Sequence, residues 1–155
     1  MTDDSVVRFV IPGPPKAWKR AGHRIITPKG GKPFTTTYTN TETRSEQGVL
    51  RFAAYEAMGD RPLFTEAIEL KVSFFMAVPE SWSKKKRAAA LGWQIHPTGK
   101  PDLDNLAKMM DAFKHVLWRD DAQVSTAYIW KRYSAKPRTV VEIRPAPLGG
   151  APTED

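Results

Sequence analysis

The sequence predicts an α+β fold, a single small domain in which a mixed β-sheet is packed by helices, and three features carry that prediction. Apolar Ile68, Leu70, Val72, Phe74 and Met76 alternate with Glu69, Lys71 and Ser73, the period of two that turns every second side chain to one face of a strand. Residues 41–58 place Val49, Leu50, Phe52, Ala53 and Ala57 at helical spacing, behind a Thr41 or Thr43 cap and ahead of Gly59-Asp60, the pattern of a capped amphipathic helix. The resulting order of strand, hairpin, helix, strand, short helix, helix, strand, strand argues for a mixed sheet.

Val6-Val7-Arg8-Phe9-Val10-Ile11 is the first strand, stopped by Pro12-Gly13-Pro14-Pro15, whose prolines have no N–H for a ladder. Residues 23–27 and 33–39 flank the basic, turn-rich Pro28-Lys29-Gly30-Gly31-Lys32, which could be a mobile arm but reads better as the tip of a weak hairpin. The strand over residues 67–78 closes at Pro79, and Ser81 or Ser83 then caps a short basic helix over residues 84–91 that Gly92 ends. A polar loop over residues 93–101 leads into a helix of about four turns, opened by Asp102–Asp104 and buried through Leu103, Leu106, Met110, Phe113 and Leu117. Asp120–Gln123 is a turn, and residues 124–133 and 139–143 are two closing strands. The domain is expected to span residues 1–145, with a flexible Pro/Gly-rich tail over 146–155.

At 155 residues the chain fits one ordinary domain, and 41% hydrophobic with 26% charged residues excludes wholesale disorder. No apolar run approaches the roughly 18 residues of a membrane span, and the N-terminus lacks the basic start and apolar stretch of a leader, so a cytoplasmic location without membrane contact is expected. The absence of cysteine removes disulfides and thiolate zinc ligands, and His23, His96 and His115 are not spaced as paired ligands. A net charge of +7 favours a polyanionic partner. Basic residues gather at 16–24, 29–32, 84–87 and 131–138, but a generally basic, well-solvated surface would carry the same charge.

Against 24 basic residues the chain has 17 acidic ones, and five of these fall between Asp102 and Asp121: Asp102, Asp104, Asp111, Asp120 and Asp121. Asp102 and Asp104 are two apart, so in extended backbone their side chains project to one side. Carboxylates held that close repel unless a proton or cation lies between them. Hard oxygen donors suit Mg2+, with Mn2+ as a substitute, in a site that substrate phosphate oxygens and water complete and that serves phosphodiester hydrolysis. Lys108 follows Asp104 by four residues and precedes Asp111 by three, so all three share a helix face. On that face Lys108 either stabilises a transition state or belongs to an Asp-Lys-Asp surface ladder, with Asp104 capping the helix. Asp120-Asp121 has the composition of an ordinary turn. A strand returning at Ala122 beside Asp102–Asp104 would instead bring Asp121 into the same cluster.

These residues also carry a family resemblance. Lys100-Pro101-Asp102-Leu103-Asp104-Asn105-Leu106-Ala107-Lys108, Asp111-Ala112 and Trp118-Arg119-Asp120-Asp121-Ala122-Gln123-Val124 resemble the signature of the RusA family. Ile11-Pro12-Gly13-Pro14-Pro15-Lys16 is similar to that family's N-terminal segment, and residues 79–87 to the middle of its phage-type members. The resemblance implies a homodimeric, divalent-metal-dependent endodeoxyribonuclease acting on Holliday junctions, with a fold particular to the family. It implies Asp102, Asp104 and Asp121 as the essential acids and metal ligands and Lys108 as the catalytic lysine, with Asp120 and Asp111 as possible supports. A phage or prophage origin fits it.

Branched DNA would then be held through backbone contacts from Lys16, Lys19, Arg20, Arg24, Lys84, Lys85, Lys86, Arg87 and Lys131. Trp18 or Trp82 either stacks on an unpaired base or packs in the core. Two rival readings use the same residues. In one, a DNA-binding module recognises branched structure without cutting, its acids serving as cap and turn; in the other, a broader flap or fork nuclease runs the same chemistry on a different substrate shape. An RNA nuclease is opposed only by the resemblance.

Overall fold

A computed structural model describes residues 4–18, 22–38 and 41–149, with the side chains of residues 42 and 43 excepted. Its centre is a four-stranded mixed sheet in the order β1, β6, β4, β5. The strands are β1 (Val7–Pro12), β4 (Ile68–Met76), β5 (Val124–Tyr133) and β6 (Arg138–Pro145). β6 runs antiparallel to both β1 and β4, whereas β5 runs parallel to β4. The alternation expected for β4 holds: Ile68, Leu70, Val72, Phe74 and Met76 are all buried. The two closing strands are not neighbours. The four-residue link 134–137 passes over the end of β4, where Ser134 N–H donates to Met76 O at 2.9 Å.

β2 (Gly22–Ile26) and β3 (Phe34–Tyr38) form the expected hairpin as a separate two-stranded sheet. At its tip Gly31 N–H donates to Pro28 O at 3.1 Å, and Gly30 has φ +82°, a conformation that favours glycine. Helix α1 (Thr41–Met58) packs on β1 and buries Leu50, Ala54 and Met58, a stripe at intervals of four. Val49, Phe52 and Tyr55 lie outside that stripe and remain exposed, although Val49 and Phe52 belong to the apolar pattern that predicts the helix. Helix α2 (Lys84–Leu91) starts where Ser83 Oγ accepts from Lys86 N–H and stops at Gly92, as its sequence predicts.

The helix of about four turns is not formed. Helix α3 covers only Leu103–Ala107 and passes into a 3-10 segment, Lys108–Ala112, after which His115 takes a left-handed backbone with φ +67°. The apolar spacing explains the change, because Leu106, Met109 and Ala112 recur strictly every three residues and are buried together, and three residues per turn is the 3-10 period. Leu103 and Met110, expected in the buried stripe, are only partly buried. Phe113 packs edge-on to Phe9 and Trp118, with ring centroids 5.6 and 6.0 Å away, and so ties this segment to the sheet. At the C-terminus the sheet runs past the predicted strand end: Pro145 pairs with Ile68, and Ala146 N–H donates to Ala67 O. Residues 150–155 of the expected tail lie outside the described residues. No helix among the described residues is long and apolar enough to cross a membrane.

Candidate active site

Parallel pairing of β4 with β5 obliges the chain to cross from the end of one strand to the start of the other. Residues 77–123 make that crossing and carry every candidate acid. Its first part is anchored by Lys131 on β5, whose ammonium donates to Gly99 O at 2.9 Å and Pro101 O at 3.0 Å. Sequence reasoning assigned Lys131 to the DNA backbone; in the structure it holds the segment that delivers Asp102. The Lys100–Pro101 peptide bond within that segment is cis.

Asp102 stands at the N-cap position of α3, yet its side chain makes no capping hydrogen bond and pairs instead with the exposed Lys100 ammonium. Asp104, in the first turn, is exposed and has no hydrogen-bond or ion-pair partner among the described residues. The cap-and-ladder alternative for this pair therefore lacks its contacts. Lys108 donates to Asn105 Oδ1 at 2.9 Å and not to Asp104.

The turn before β5 is held from three sides. Asp120 Oδ1 accepts from Ala122 N–H at 2.9 Å, and Gln123 Oε1 accepts from the N–H groups of Arg119 and Asp120, both at 2.9 Å, completing a capping box. The Gln123 amide also donates to Phe64 O at 2.8 Å and Glu66 O at 3.0 Å, clamping the turn to the chain entering β4. Asp121 is the third element: its Oδ1 accepts from the Trp118 indole N–H at 2.8 Å, and Trp118 is 1% exposed. A buried donor thus orients an exposed carboxylate. β5 begins at Val124, as its sequence predicts, with an irregularity opposite Ile68 and Glu69. Bulges of this kind re-aim side chains at the edge of a sheet.

Asp111 joins the two halves electrically. Partial burial of its carboxyl end, then the negative charge of Asp121, raise its pKa above the ordinary carboxylate value; Lys108 opposes them. Asp121 and Lys108 thus both act on the Asp111 carboxyl, in opposite directions. As the side chains stand, no three His, Cys, Asp or Glu among the described residues form a group that could hold a metal ion. The donor chemistry nonetheless fits Mg2+, which binds through one or two carboxylates and leaves the remaining positions to water and phosphate.

The structure distributes the predicted DNA contacts unevenly. Lys84, Lys85, Lys86 and Arg87 are exposed along α2, and Arg24 is exposed on the hairpin. The Lys86 ammonium lies 3.8 Å from the Trp82 ring centroid, and Lys16 pairs with Glu46 at 3.1 Å. Lys19 and Arg20 lie outside the described residues. Trp18 and Trp82 both pack against the core, Trp82 edge-on to Tyr133 at 5.3 Å. The positioning residues Trp118, Gln123 and Asn105 were missed as such: their signal, side chains that bond locally within the acid-rich segment, emerges only with the geometry.

One crossover thus carries several carboxylates and a lysine, and comparison gives the class of the chain. Residues 12–144 match the family model described as Endodeoxyribonuclease RusA, and the chain belongs to that family. It is also 31% identical over 143 residues to the uncharacterized protein YqaN of Bacillus subtilis (strain 168), a similarity covering 89% of this chain and 95% of that protein.

The raised pKa of Asp111 sets a pH dependence. An acid that holds its proton more tightly in the folded state favours folding below its ordinary pKa, and that contribution is lost as pH rises through the shifted value. Asp111→Asn is expected to raise the urea midpoint at neutral pH relative to wild type, with the difference vanishing in acid below the ordinary carboxylate range. Parallel urea titrations across that range, without divalent metal, check it.

Proposed function

We propose that the protein is a Mg2+-dependent endonuclease that resolves four-way DNA junctions by paired nicks. The observation that carries this reading is the set of carboxylates on the crossover of a RusA-family chain, among which Asp104 has no partner among the described residues and Asp102 stands at a cap position without capping. Asp102, Asp104 and Asp121 would hold the metal. When bound, Mg2+ activates water and neutralises phosphate charge, leaving a 5′-phosphate and a 3′-hydroxyl.

The chain's own residues supply orientation and fixed charge. Trp118 holds Asp121 by its 2.8 Å hydrogen bond, while Lys131 fixes the approach to Asp102. Lys108 offsets negative charge developing at the scissile phosphate, an effect that gains strength where water is excluded. Asp111, protonated more readily than an ordinary carboxyl because of burial and Asp121, tunes the local charge without leading the chemistry. Arg24 and the α2 residues Lys84, Lys85 and Arg87 are exposed and suited to hold DNA through its phosphates.

Cleavage of a labelled four-way junction beside a linear duplex of the same sequence, with Mg2+ or EDTA, tests this reading. Symmetric nicks in the junction alone, dependent on Mg2+, are expected from wild type. Asp102→Asn and Asp121→Asn should bind it while losing at least about 100-fold in rate, the scale of removing one charge-stabilising group. Junction binding without cutting under any divalent metal would favour the non-cleaving module, and equal cutting of flaps or forks the broader nuclease.

Paired nicks need two sites related by a two-fold axis, which a homodimer provides. Support comes from α1, whose Val49, Phe52 and Tyr55 recur every three residues and stay exposed, Phe52 and Tyr55 at 67% and 66%. Such apolar side chains gathered on a surface mark an interaction site. Sedimentation is expected to give a dimer for wild type and a monomer for Phe52→Glu; a wild-type monomer at micromolar concentration would defeat the dimeric reading.

A further inference from the structure

The sheet has two faces, and only one is taken by the core. Side chains that are paired in register point to the same side, so the other face is built in rows. Tyr128, Lys71 and Glu142 form one row, Trp130, Ser73 and Val140 the next, and Arg132, Phe75 and Arg138 the third. Aromatic rings meet edge to face across these rows: Phe75 and Trp130 have centroids 5.4 Å apart, and Trp93, from the loop after α2, reaches Trp130 at 5.8 Å. Cations lie over the rings, with Arg138 3.9 Å from the Phe75 centroid and Arg132 5.5 Å from that of Trp130. Of the two acids on this face, Glu69 already pairs with Arg144 at 2.8 Å and with Lys71 at 3.6 Å, so the balance is positive.

We propose that this outer face, centred on Tyr128, Trp130 and Arg132, is a platform for single-stranded DNA. Tyr128 is 53% exposed at the sheet edge, as a stacking residue for an unpaired base must be, and the half-buried Arg132 and Arg138, which donate to the carbonyls of Lys131 and Lys136, add positive charge on the same face. Duplex DNA keeps its bases stacked on one another and has no use for exposed rings, whereas an unpaired strand presents a π-face at every nucleotide. A four-way junction offers such nucleotides where base pairs at its crossover open. To that extent the inference rests on the nuclease reading, and it adds a surface separate from the acidic crossover.

The test uses the full-length protein in EDTA, with a fluorescein-labelled dT 20-mer followed by anisotropy. Tyr128→Ala should weaken binding about tenfold, within the range of one lost stacking contact, and leave affinity for a linear duplex unchanged. Arg132→Gln should lower the slope of log affinity against log salt by about 0.7, one phosphate contact on a single strand. Photocross-linking with 4-thiothymidine in the same oligonucleotide should label peptides from residues 124–133. Absence of dT binding by wild type, an unchanged affinity in Tyr128→Ala, or cross-links confined to α2 or the hairpin would overturn the proposal. So would a change in sedimentation with no change in dT affinity, which would assign the face to a second copy of the chain. None of these outcomes alters metal-dependent junction nicking, so the two readings fail separately.

Discussion

Parallel pairing of β4 with β5 is the constraint on which the rest of the structure depends. Antiparallel strands can be joined by a tight turn, but parallel ones need a connection that returns to the same end of the sheet. Here that connection is residues 77–123, and all the candidate acids lie on it. β4 is the strand that makes this possible. It is paired on both sides, and its core-facing positions from Ile68 to Met76 are buried, so its position and register are firmly held.

A crossover of that length is a poor place for catalytic groups unless it is tied down. Three side chains do the tying. Lys131 binds the carbonyls of Gly99 and Pro101, Gln123 grips the backbone both of its own turn and of the segment entering β4, and Trp118 holds Asp121. The Lys131 bonds and those of the Gln123 amide tie the crossover to the sheet and its flank, and the Trp118 bond holds Asp121 within it, so rigidity reaches the carboxylates from β4 and β5. The Asp111 carboxyl lies on the same crossover, its pKa raised first by burial and then by the charge of Asp121.

Local signals made much of this legible. Alternation along β4, the Ser83 and Gly92 ends of α2 and the span of α1 follow from period and capping, which act within a few residues. The acids were legible as a concentration in a basic chain and as a family resemblance, and the family match agrees with that resemblance. Other features depend on contacts between distant segments. A stripe at spacings of three and four reads as α-helix, yet the burial of Met109 and Ala112 behind Leu106 draws the chain into a 3-10 segment. Val49 and Phe52 have the same apolar character as Leu50, and only the packing on β1 decides which face is covered. Lys131 reads from sequence as a contact for the DNA backbone, because the carbonyls it holds lie 30 and 32 residues earlier in the chain.

The central claim is that two stretches of this crossover, at Asp102–Asp104 and at Asp121, meet around divalent metal. Iron-mediated backbone cleavage tests it directly: Fe2+ replaces Mg2+ in the complex with a four-way junction, and ascorbate with peroxide generates hydroxyl radicals at the metal. The account predicts protein fragments ending near residues 102–104 and again near 120–122, both suppressed by excess Mg2+. Cuts at only one of these segments, or clustered elsewhere in the chain, would contradict it.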